Sequence, residues 1–491
     1  MLLKTLRQQK NLMELDIKAF CRIIQTWLKL NNLEPSKTKE QKIKMFLDKE
    51  LVGQQKDVEL FNNIGRLDDL EGRLTVWLTI NQTPRVHWEF ETARGEYDFN
   101  SPSFDSPQRL ASWDGSDPQL VVGKPTLTFR GGQRRQSRGY AEQALYGDIN
   151  AGAHYFDFYL PNTDFLREAT GGDLAAITKA LKCESFVVEI SNDWSIEFST
   201  KQEALDWLKP EAQNRGSMIT LKVCLFQNKQ SSTKIQDLLS ISLSDASKTL
   251  SDLCLMLSYI NGGYVKSVYA IAKKLVGMET DRVIIEDVAS LAEAPLIVPQ
   301  EELGQGCIRY FGMKDVLDFV KCFPTFQRML QAPHWKEKWI VLLEWYFQAI
   351  LRPSGRRRNV LLPVVANALG TLLENLARII LVEEGAFSNN QFKQLSLKER
   401  INELLSRLGI AGDNSVVDDF VAIRNNSTHA KSTALSLTDM QQWEVVQKAV
   451  QWVDEVILWR LGYGGQYRER SLTSINAIQP RYDLSKRDPS W

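Results

Sequence analysis

The spacing of apolar residues changes part-way along the chain, and this change limits the fold more than any other feature. In "RLTVWLTI", from Arg73, every second residue from Leu74 onward is apolar, which is typical of a strand with one buried face. Similar runs recur to about residue 290, separated by Gly, Pro, Asn and Asp. From Trp339 onward, apolar residues recur every three or four positions, as in amphipathic helices. The sequence therefore predicts an α+β protein, with an antiparallel sandwich or barrel-like β-rich region before an all-helical bundle.

The chain has 491 residues, which is too many for one hydrophobic core. We predict a helical extension over residues 1–60, a β-rich domain over 61–300 and a helical bundle over 301–491. The extension, interpreted as a packing or dimerisation arm, rests on helical spacing between Leu12 and Leu30. The stretch "EAPLIVPQEELGQG", from Glu293, contains two prolines and two glycines and is the predicted linker.

Local signals set the boundaries of the predicted helices. "SLSDASKTLSDLCLMLSYINGG" predicts a helix that packs on the sheet and stops at two glycines. In the bundle, Ser396–Glu399 and Thr438–Gln441 have capping-box spacing, and Ser415 is predicted to open the helix between them. Five helices with short connections indicate an up-down bundle.

Composition excludes several classes of function. Lys plus Arg and Asp plus Glu both total 60, so no overall charge attracts polyanions, and nucleic-acid contacts require local patches. The six cysteines include no CxxC pair, which favours reduced thiols over disulfides or zinc. The longest apolar stretch, "VLLPVVANALGTLL", is shorter than a bilayer requires. We expect a cytoplasmic protein without membrane, metal or cofactor, and find no P-loop, GxGxxG, GxSxG or HExxH motif.

One polar stretch, "FVAIRNNSTHAKS" from Phe420, follows an apolar helical run. It combines Arg424, which keeps its charge and can hold a phosphate, with His429, which titrates near neutral pH and can move a proton. Together they suit RNA cleavage without a metal, in which the ribose 2′-hydroxyl attacks the neighbouring phosphate and leaves a 2′,3′-cyclic phosphate.

A regular helix would place these two side chains about 140° apart, because five positions separate them. Two arrangements bring them to one phosphate. The helix ends among the poor helix formers Asn425 to Thr428 and lets His429 fold back, or a second protomer packs about a two-fold axis and supplies its own pair.

The stretch "RNNSTH" resembles the motif of the HEPN superfamily of ribonucleases, in which an Arg and a polar residue precede a His. The helices "LLENLARIIL" and "LKERINELLSRLGI" ahead of it resemble the HEPN bundle over about residues 315 to 462. More loosely, the order of parts is similar to that of ApeA-type anti-phage defence proteins. The resemblance implies a homodimeric endoribonuclease that cuts tRNA or other host RNA when a phage-derived trigger is sensed at the β-rich domain. It assigns Arg424, Asn425 and His429 as the catalytic set, and Glu374 as a supporting acidic residue.

Each supporting residue also has a plain structural interpretation. Glu374 can form an ion pair with Arg378, four positions on. Two arginine clusters could bind the RNA backbone. Arg356, Arg357 and Arg358 lie in the turn "RPSGRRRN", where cations also favour a helix end, and Arg134 and Arg135 lie in "FRGGQRRQSRGY", which a solvated hairpin tip explains as well.

Two classes of function therefore stay open. The first is a HEPN-type endoribonuclease in abortive infection, and the second is a HEPN bundle without catalysis, which dimerises, binds a partner or regulates a toxin system. In the second, Arg424 would be a helix cap or ion pair and His429 an interface residue.

Overall fold

The structure is a computed structural model of the chain. It describes residues 51–53, 57–67, 70–80, 84–92, 109–112, 119–131, 134–163, 185–191, 194–200, 204, 217–227, 240–279, 282–293, 313–350, 358–385, 387–410, 413–428, 436–465, 467 and 470. The predicted N-terminal helix and the linker after Glu293 lie outside these residues. Strands and helices are both present, so the α+β class is confirmed.

Within the described residues, twelve strands form one antiparallel sheet in the order β1-β2-β3-β6-β12-β11-β7-β10-β9-β8, with β5 paired to β6 and β4 to β5. Their bounds are β1 Val58–Leu67, β2 Leu70–Thr79, β3 Arg85–Thr92, β4 Arg109–Ser112, β5 Gln119–Gly131, β6 Arg134–Gly147, β7 Tyr155–Pro161, β8 Ser185–Glu189, β9 Trp194–Ser199, β10 Ile219–Gln227, β11 Tyr269–Glu279 and β12 Arg282–Glu293. A single sheet replaces the two sheets of a sandwich.

Alternate residues of the central strands face two different cores. On β7, Phe158 and Leu160 belong to a core that continues into the helices, whereas Tyr159 belongs to a second core. That second core also contains Val76 of β2 and Ile219 of β10, strands far apart in the sheet order. Apolar side chains therefore cover both faces of the sheet.

Helix α1, Leu243–Asn261, packs against the first of these cores. Ser242 caps its start by accepting a hydrogen bond from the backbone N–H of Asp245. Gly262 ends it with a φ of 72°, a conformation that glycine adopts without strain. The predicted helix and its glycine stop are confirmed.

Eight further helices follow among the described residues: α2 Met313–Val320, α3 Phe323–Gln331, α4 Pro333–Ala349, α5 Arg358–Arg378, α6 Asn389–Gln394, α7 Leu397–Arg407, α8 Asn414–Thr428 and α9 Asp439–Leu461. A π-helical turn, Ile379–Glu383, extends α5. Both predicted capping boxes are present, at Ser396–Glu399 and Thr438–Gln441. The sequence did not predict α2, α3 or α6.

Three other predictions are corrected. Helix α8 starts at Asn414 rather than Ser415, because the Asp413 carboxylate accepts from the backbone N–H and hydroxyl of Ser415. β1 starts at Val58, inside the predicted helical extension. "FRGGQRRQSRGY", which the sequence predicts as a basic loop, is instead paired strand, since β5 and β6 pair through it up to Gly131 and Arg134, and this agrees with the alternative interpretation as a hairpin.

The apolar stretch in α5 is longer than the sequence indicated. The continuous segment Leu361–Glu383 has 23 residues, long and apolar enough to cross a membrane by composition alone, and 67% of its most apolar window is buried. Polar residues interrupt this segment, so the sequence showed only a shorter apolar stretch. The burial of the segment is typical of a central helix in a bundle.

Candidate functional site

Helix α8 carries the polar motif at its C-terminal end. Val417, Phe420 and Ile423 form its buried stripe. Asn425 to Thr428 are all helical, and Thr428 is the last residue of the helix that the structure describes. The hydroxyls of the last two residues bond back into the helix: Ser427 donates to the Ile423 carbonyl oxygen (2.9 Å) and Thr428 to that of Arg424 (3.1 Å). The helix therefore reaches Thr428, immediately before His429.

Arg424 is half-buried, and its side chain lies against helix α5 at Gly370. A Cβ atom at Gly370 would lie 3.1 Å from Arg424 Cγ and 3.3 Å from Nε. Glycine is the one residue without a Cβ, so it gives the arginine stem room to pass across α5. The site thus depends on a close approach of the two helices.

The Arg424 guanidinium uses only part of its hydrogen-bonding capacity. Its Nη1 donates to Asn425 Oδ1 at 3.3 Å, while its Nε is buried and has no hydrogen-bond partner among the described residues. Three positions before Gly370, Asn367 Oδ1 is likewise buried and, within the described chain, unpartnered. A guanidinium N–H can donate to an anionic oxygen and an amide oxygen can accept from a hydroxyl, and RNA carries both of these groups.

Glu374 lies one turn further along α5 but has a different partner from the expected one. It pairs with Arg400 of α7, whereas Arg378 contacts Glu383 at 3.6 Å. Arg400 also lies over the Phe392 ring at 4.5 Å from its centroid. The prediction of a pair with Arg378 is wrong, and Glu374 links α5 to α7 beside the site.

The other predicted residues are described only in part. His429, Arg356 and Arg357 lie outside the described residues. Arg358 is the first residue of α5, and Arg134 and Arg135 lie at the start of β6, and for these three only the backbone is described. Among the described residues there is no group of three or more His, Cys, Asp or Glu side chains that could hold a metal ion.

The ion pairs around α7 show how α5 and α8 run relative to each other. Arg400 contacts Glu374 of α5, and Lys398, two residues away, contacts Asp418 of α8 at 2.6 Å. Asp418 is therefore close to the level of Glu374, while Arg424 lies at Gly370. From the level of Gly370 to that of Glu374, residue numbers rise along α5 but fall along α8. The two helices are therefore antiparallel. The end of α8 points toward the start of α5.

The sequence had not singled out Asn367 and Gly370 as site residues. They interrupt the apolar pattern of "VVANALGTLLENL" with a polar residue and a glycine three positions apart. This spacing places both on one helix face, which is the signal that could have predicted a close helix contact there.

Comparison with protein-family models, with curated proteins and with solved structures finds no match to this chain.

Proposed function

We propose that the chain is a HEPN-type endoribonuclease that cleaves tRNA or other RNA without a metal and acts in anti-phage defence. One observation carries the proposal. Arg424 lies near the end of a bundle helix, half-buried against Gly370, and its guanidinium Nε donates no hydrogen bond to any described residue. A structural arginine in such a position is normally saturated by carboxylates or carbonyls, because unpaired buried donors are costly.

Each residue of the motif has a distinct role in this proposal. His429 removes the proton from the ribose 2′-hydroxyl, whose oxygen then attacks the adjacent phosphorus. Arg424 holds the phosphate oxygens as charge builds up on them, and Asn425 keeps the guanidinium oriented through its Oδ1. The bond from phosphorus to the 5′-oxygen breaks and that oxygen takes up a proton. The products are a 2′,3′-cyclic phosphate and a 5′-hydroxyl.

The direction of the helices supports a role for the arginine turn Arg356 to Arg358 in binding RNA. Thr428 lies about 6 Å beyond Arg424 along α8, and the first residue of α5 lies about 18 Å from Gly370 in the same direction. A strand that leaves the site toward this end of the bundle would pass the turn, where cations can neutralise its phosphates. The β5–β6 hairpin with Arg134 and Arg135 is a second proposed contact.

The proposal also assigns roles to the β-rich part, to the helical bundle and to a second copy of the chain. The β-rich part acts as a sensor for a phage-derived trigger, the helices form the HEPN bundle, and the protein works in the cytoplasm. Two copies pair through the bundle so that two motifs face one another. Three tryptophans on α9 are poor candidates for this interface, because Trp452 is fully buried in the protomer, and Trp443 and Trp459 are partly buried against the same core.

Val364 is a better interface residue, because it is 47% exposed on α5 one turn before Asn367. We expect Val364→Lys to convert a dimer to a monomer and to lower cleavage, since a lysine ammonium cannot be buried unpaired in an interface. Light scattering measures the assembly. Val341→Lys, at a valine 43% exposed on α4, is the matched control. A parent that is monomeric at micromolar concentration would contradict the composite site.

The decisive experiment is incubation of the protein with total tRNA and single-stranded RNA in EDTA, alongside His429→Ala. His87→Ala is the matched control, because His87 lies on β3, stacked on Trp77 at 5.4 Å. We expect cleavage with cyclic-phosphate ends by the parent and by His87→Ala, and none by His429→Ala.

If the isolated protein does not cleave RNA, the toxicity of the same variants is compared in infected cells. Loss of toxicity in His429→Ala with normal protein levels would support a nuclease that needs a trigger. Equal toxicity of the parent and His429→Ala would contradict catalysis and favour a binding module.

A further inference from the structure

A cavity of about 450 Å³ lies between the sheet and the helices, and no residue of the motif lines it. Its walls are mainly apolar and come from β7, α1, the segment after α1, β11, β12 and α4. They include Phe158, Leu250, Cys254, Val265, Leu291 and Ile340. The volume lies in the range of about 300–1,000 Å³ that small-molecule sites occupy. Ile340, at the wall, is 50% exposed, so the cavity is open to solvent beside a large apolar side chain.

Polar residues also line this space, among them Ser247, Glu293 and Lys266. The Ser247 Oγ atom is buried and has no hydrogen-bond partner within the described part of the chain. Glu293 accepts from Gln143 Nε2 at 3.2 Å through one oxygen, and burial raises the pKa of its carboxyl group. Lys266 is exposed and lowers that pKa by its charge. A buried hydroxyl without a partner in an apolar wall is costly unless something else bonds to it.

These groups define a chemical class of ligand. The opposite charges of Lys266 and Glu293 balance, so neither an anion nor a cation is favoured. The apolar walls favour an apolar body. The Ser247 hydroxyl can donate to a carbonyl oxygen, and the Glu293 carboxylate can accept from an N–H group. We propose that this cavity binds an uncharged small molecule with an apolar body and one amide-like end, held by Ser247 and Glu293.

A ligand here would touch both the sheet and the helical part of the molecule. Tyr264, in the cavity wall, donates from its hydroxyl to Glu344 Oε1 of α4 at 2.5 Å. Its ring also packs edge-on against Phe347, with centroids 5.1 Å apart. A ligand in the cavity would therefore contact α4 directly through Ile340 and indirectly through Tyr264. This inference is independent of the proposed nuclease activity.

The test uses three probes with one indole body, measured by isothermal calorimetry on the full chain. Indole-3-acetamide has the amide end, indole-3-acetate an anionic end, and 3-methylindole no polar end. We expect one molecule of the acetamide to bind, and to bind more tightly than either of the others. One hydrogen bond corresponds to a gain of about 2- to 10-fold.

Two serines on α1 provide a matched pair of variants. Ser247→Ala should weaken the acetamide about 2- to 10-fold and leave 3-methylindole unchanged. Ser251→Ala should change neither, because Ser251 also lines the cavity but donates its hydroxyl to the Ser247 carbonyl oxygen at 2.8 Å. Leu250→Trp should fill the cavity and abolish binding of all three probes, with thermal unfolding as the check on its fold.

Two results would overturn the inference. One is the absence of saturable one-to-one binding of indole-3-acetamide at millimolar concentration. The other is acetamide binding that Ser247→Ala leaves unchanged, which would mean that the probe binds elsewhere. The serine pair decides the question even if Leu250→Trp does not fold.

Discussion

Arg470 and Arg424 both contact the helical bundle, but their surroundings differ. Arg470 is 6% exposed, its Nε donates to Asp454 Oδ2 of α9, and its Nη2 donates to the Tyr346 hydroxyl at 3.0 Å. Asp454 Oδ1 also accepts from Tyr346 at 2.7 Å and from Tyr259 of α1 at 2.8 Å. Arg424 is half-buried and has one hydrogen bond, to its own neighbour Asn425, among the contacts described.

The difference separates an arginine whose buried N–H groups are paired from one whose buried Nε has no partner among the described residues. In the Asp454 network, buried charge is matched by an opposite charge and by hydroxyl donors that join α1, α4, α9 and the segment after α9. Such a network contributes mainly by avoiding unpaired buried charge. At Arg424 the cation is positioned by packing on Gly370, and its bonding capacity stays largely unused by the described residues.

Removal of Asp454 should have the largest effect. Asp454→Ala leaves the Arg470 cation buried without its partner and two tyrosine hydroxyls without an acceptor, so we expect the free energy of unfolding to fall by about 3–5 kcal/mol. Urea denaturation measures this. Glu444→Ala, at an exposed site on the same helix, should stay within about 0.5 kcal/mol of the parent. A parent-like Asp454→Ala would show that the network contributes little to stability.

Arg424→Ala should lower the rate of cleavage strongly and the stability of the fold only slightly. We expect cleavage to slow by about 100- to 1,000-fold, as for the loss of one group that stabilises transition-state charge. The free energy of unfolding should fall by less than about 1 kcal/mol. Arg378→Ala is the control, because Arg378 lies on α5 but its charge faces Glu383. If Arg424→Ala unfolds as readily as Asp454→Ala, Arg424 is a structural residue.

The contrast also shows what the sequence could and could not predict. The capping boxes at Ser396 and Thr438 were predicted because both partners lie within four residues. Helix α6 begins with the same device, at Ser388 and Gln391, but has six residues with Phe392 alone buried, so no apolar period announces it. The order of residues in the motif was visible in the sequence, whereas its packing on Gly370 was not.

Contacts between distant residues account for the failures. Glu374 was expected to pair with Arg378 on its own helix, yet it pairs with Arg400, 26 positions away, because α5 and α7 pack together. Asp454 and Arg470 had no distinguishing pattern, since their partners come from four separate segments. β5 and β6 were missed because polar residues occupy both faces of "FRGGQRRQSRGY", and cross-strand pairing rather than alternation defines them.

Gly370→Ala should have an intermediate effect on the site and little on the fold. The new methyl group would press on Arg424 Cγ and Nε, 3.1 and 3.3 Å away, and move the guanidinium. Alanine favours a helix interior by about 1 kcal/mol over glycine, which offsets the close contact. We expect cleavage to fall about 10-fold, with an unfolding free energy within about 1 kcal/mol of the parent.

A double variant tests whether this effect acts through Arg424. If Gly370→Ala works by displacing the guanidinium, adding it to Arg424→Ala should lower the cleavage rate no further. A further tenfold loss in the double variant would mean that Gly370 supports the site by another route, such as the spacing of α5 and α8.

Glu455, next to Asp454 on α9, should give the smallest effect and the clearest dependence on pH. Burial raises the pKa of its carboxyl group above the usual 4.5, although Gln451 and Tyr467 donate to it at 3.0 and 2.9 Å. A carboxyl group with a raised pKa in the folded state favours folding while protonated. Its contribution is complete below pH 4.5 and is lost as the pH rises through the folded-state pKa.

Glu455→Gln removes this titration and keeps the shape of the side chain. The difference in urea midpoint between the variant and the parent should therefore shift in favour of the variant as the pH rises from 4.5. At pH 7 the variant should be at least as stable as the parent, because a neutral amide is buried at lower cost than a carboxylate. A variant less stable than the parent at pH 7 would mean that the donors Gln451 and Tyr467 outweigh burial, and that the saturated network extends from Asp454 to include Glu455.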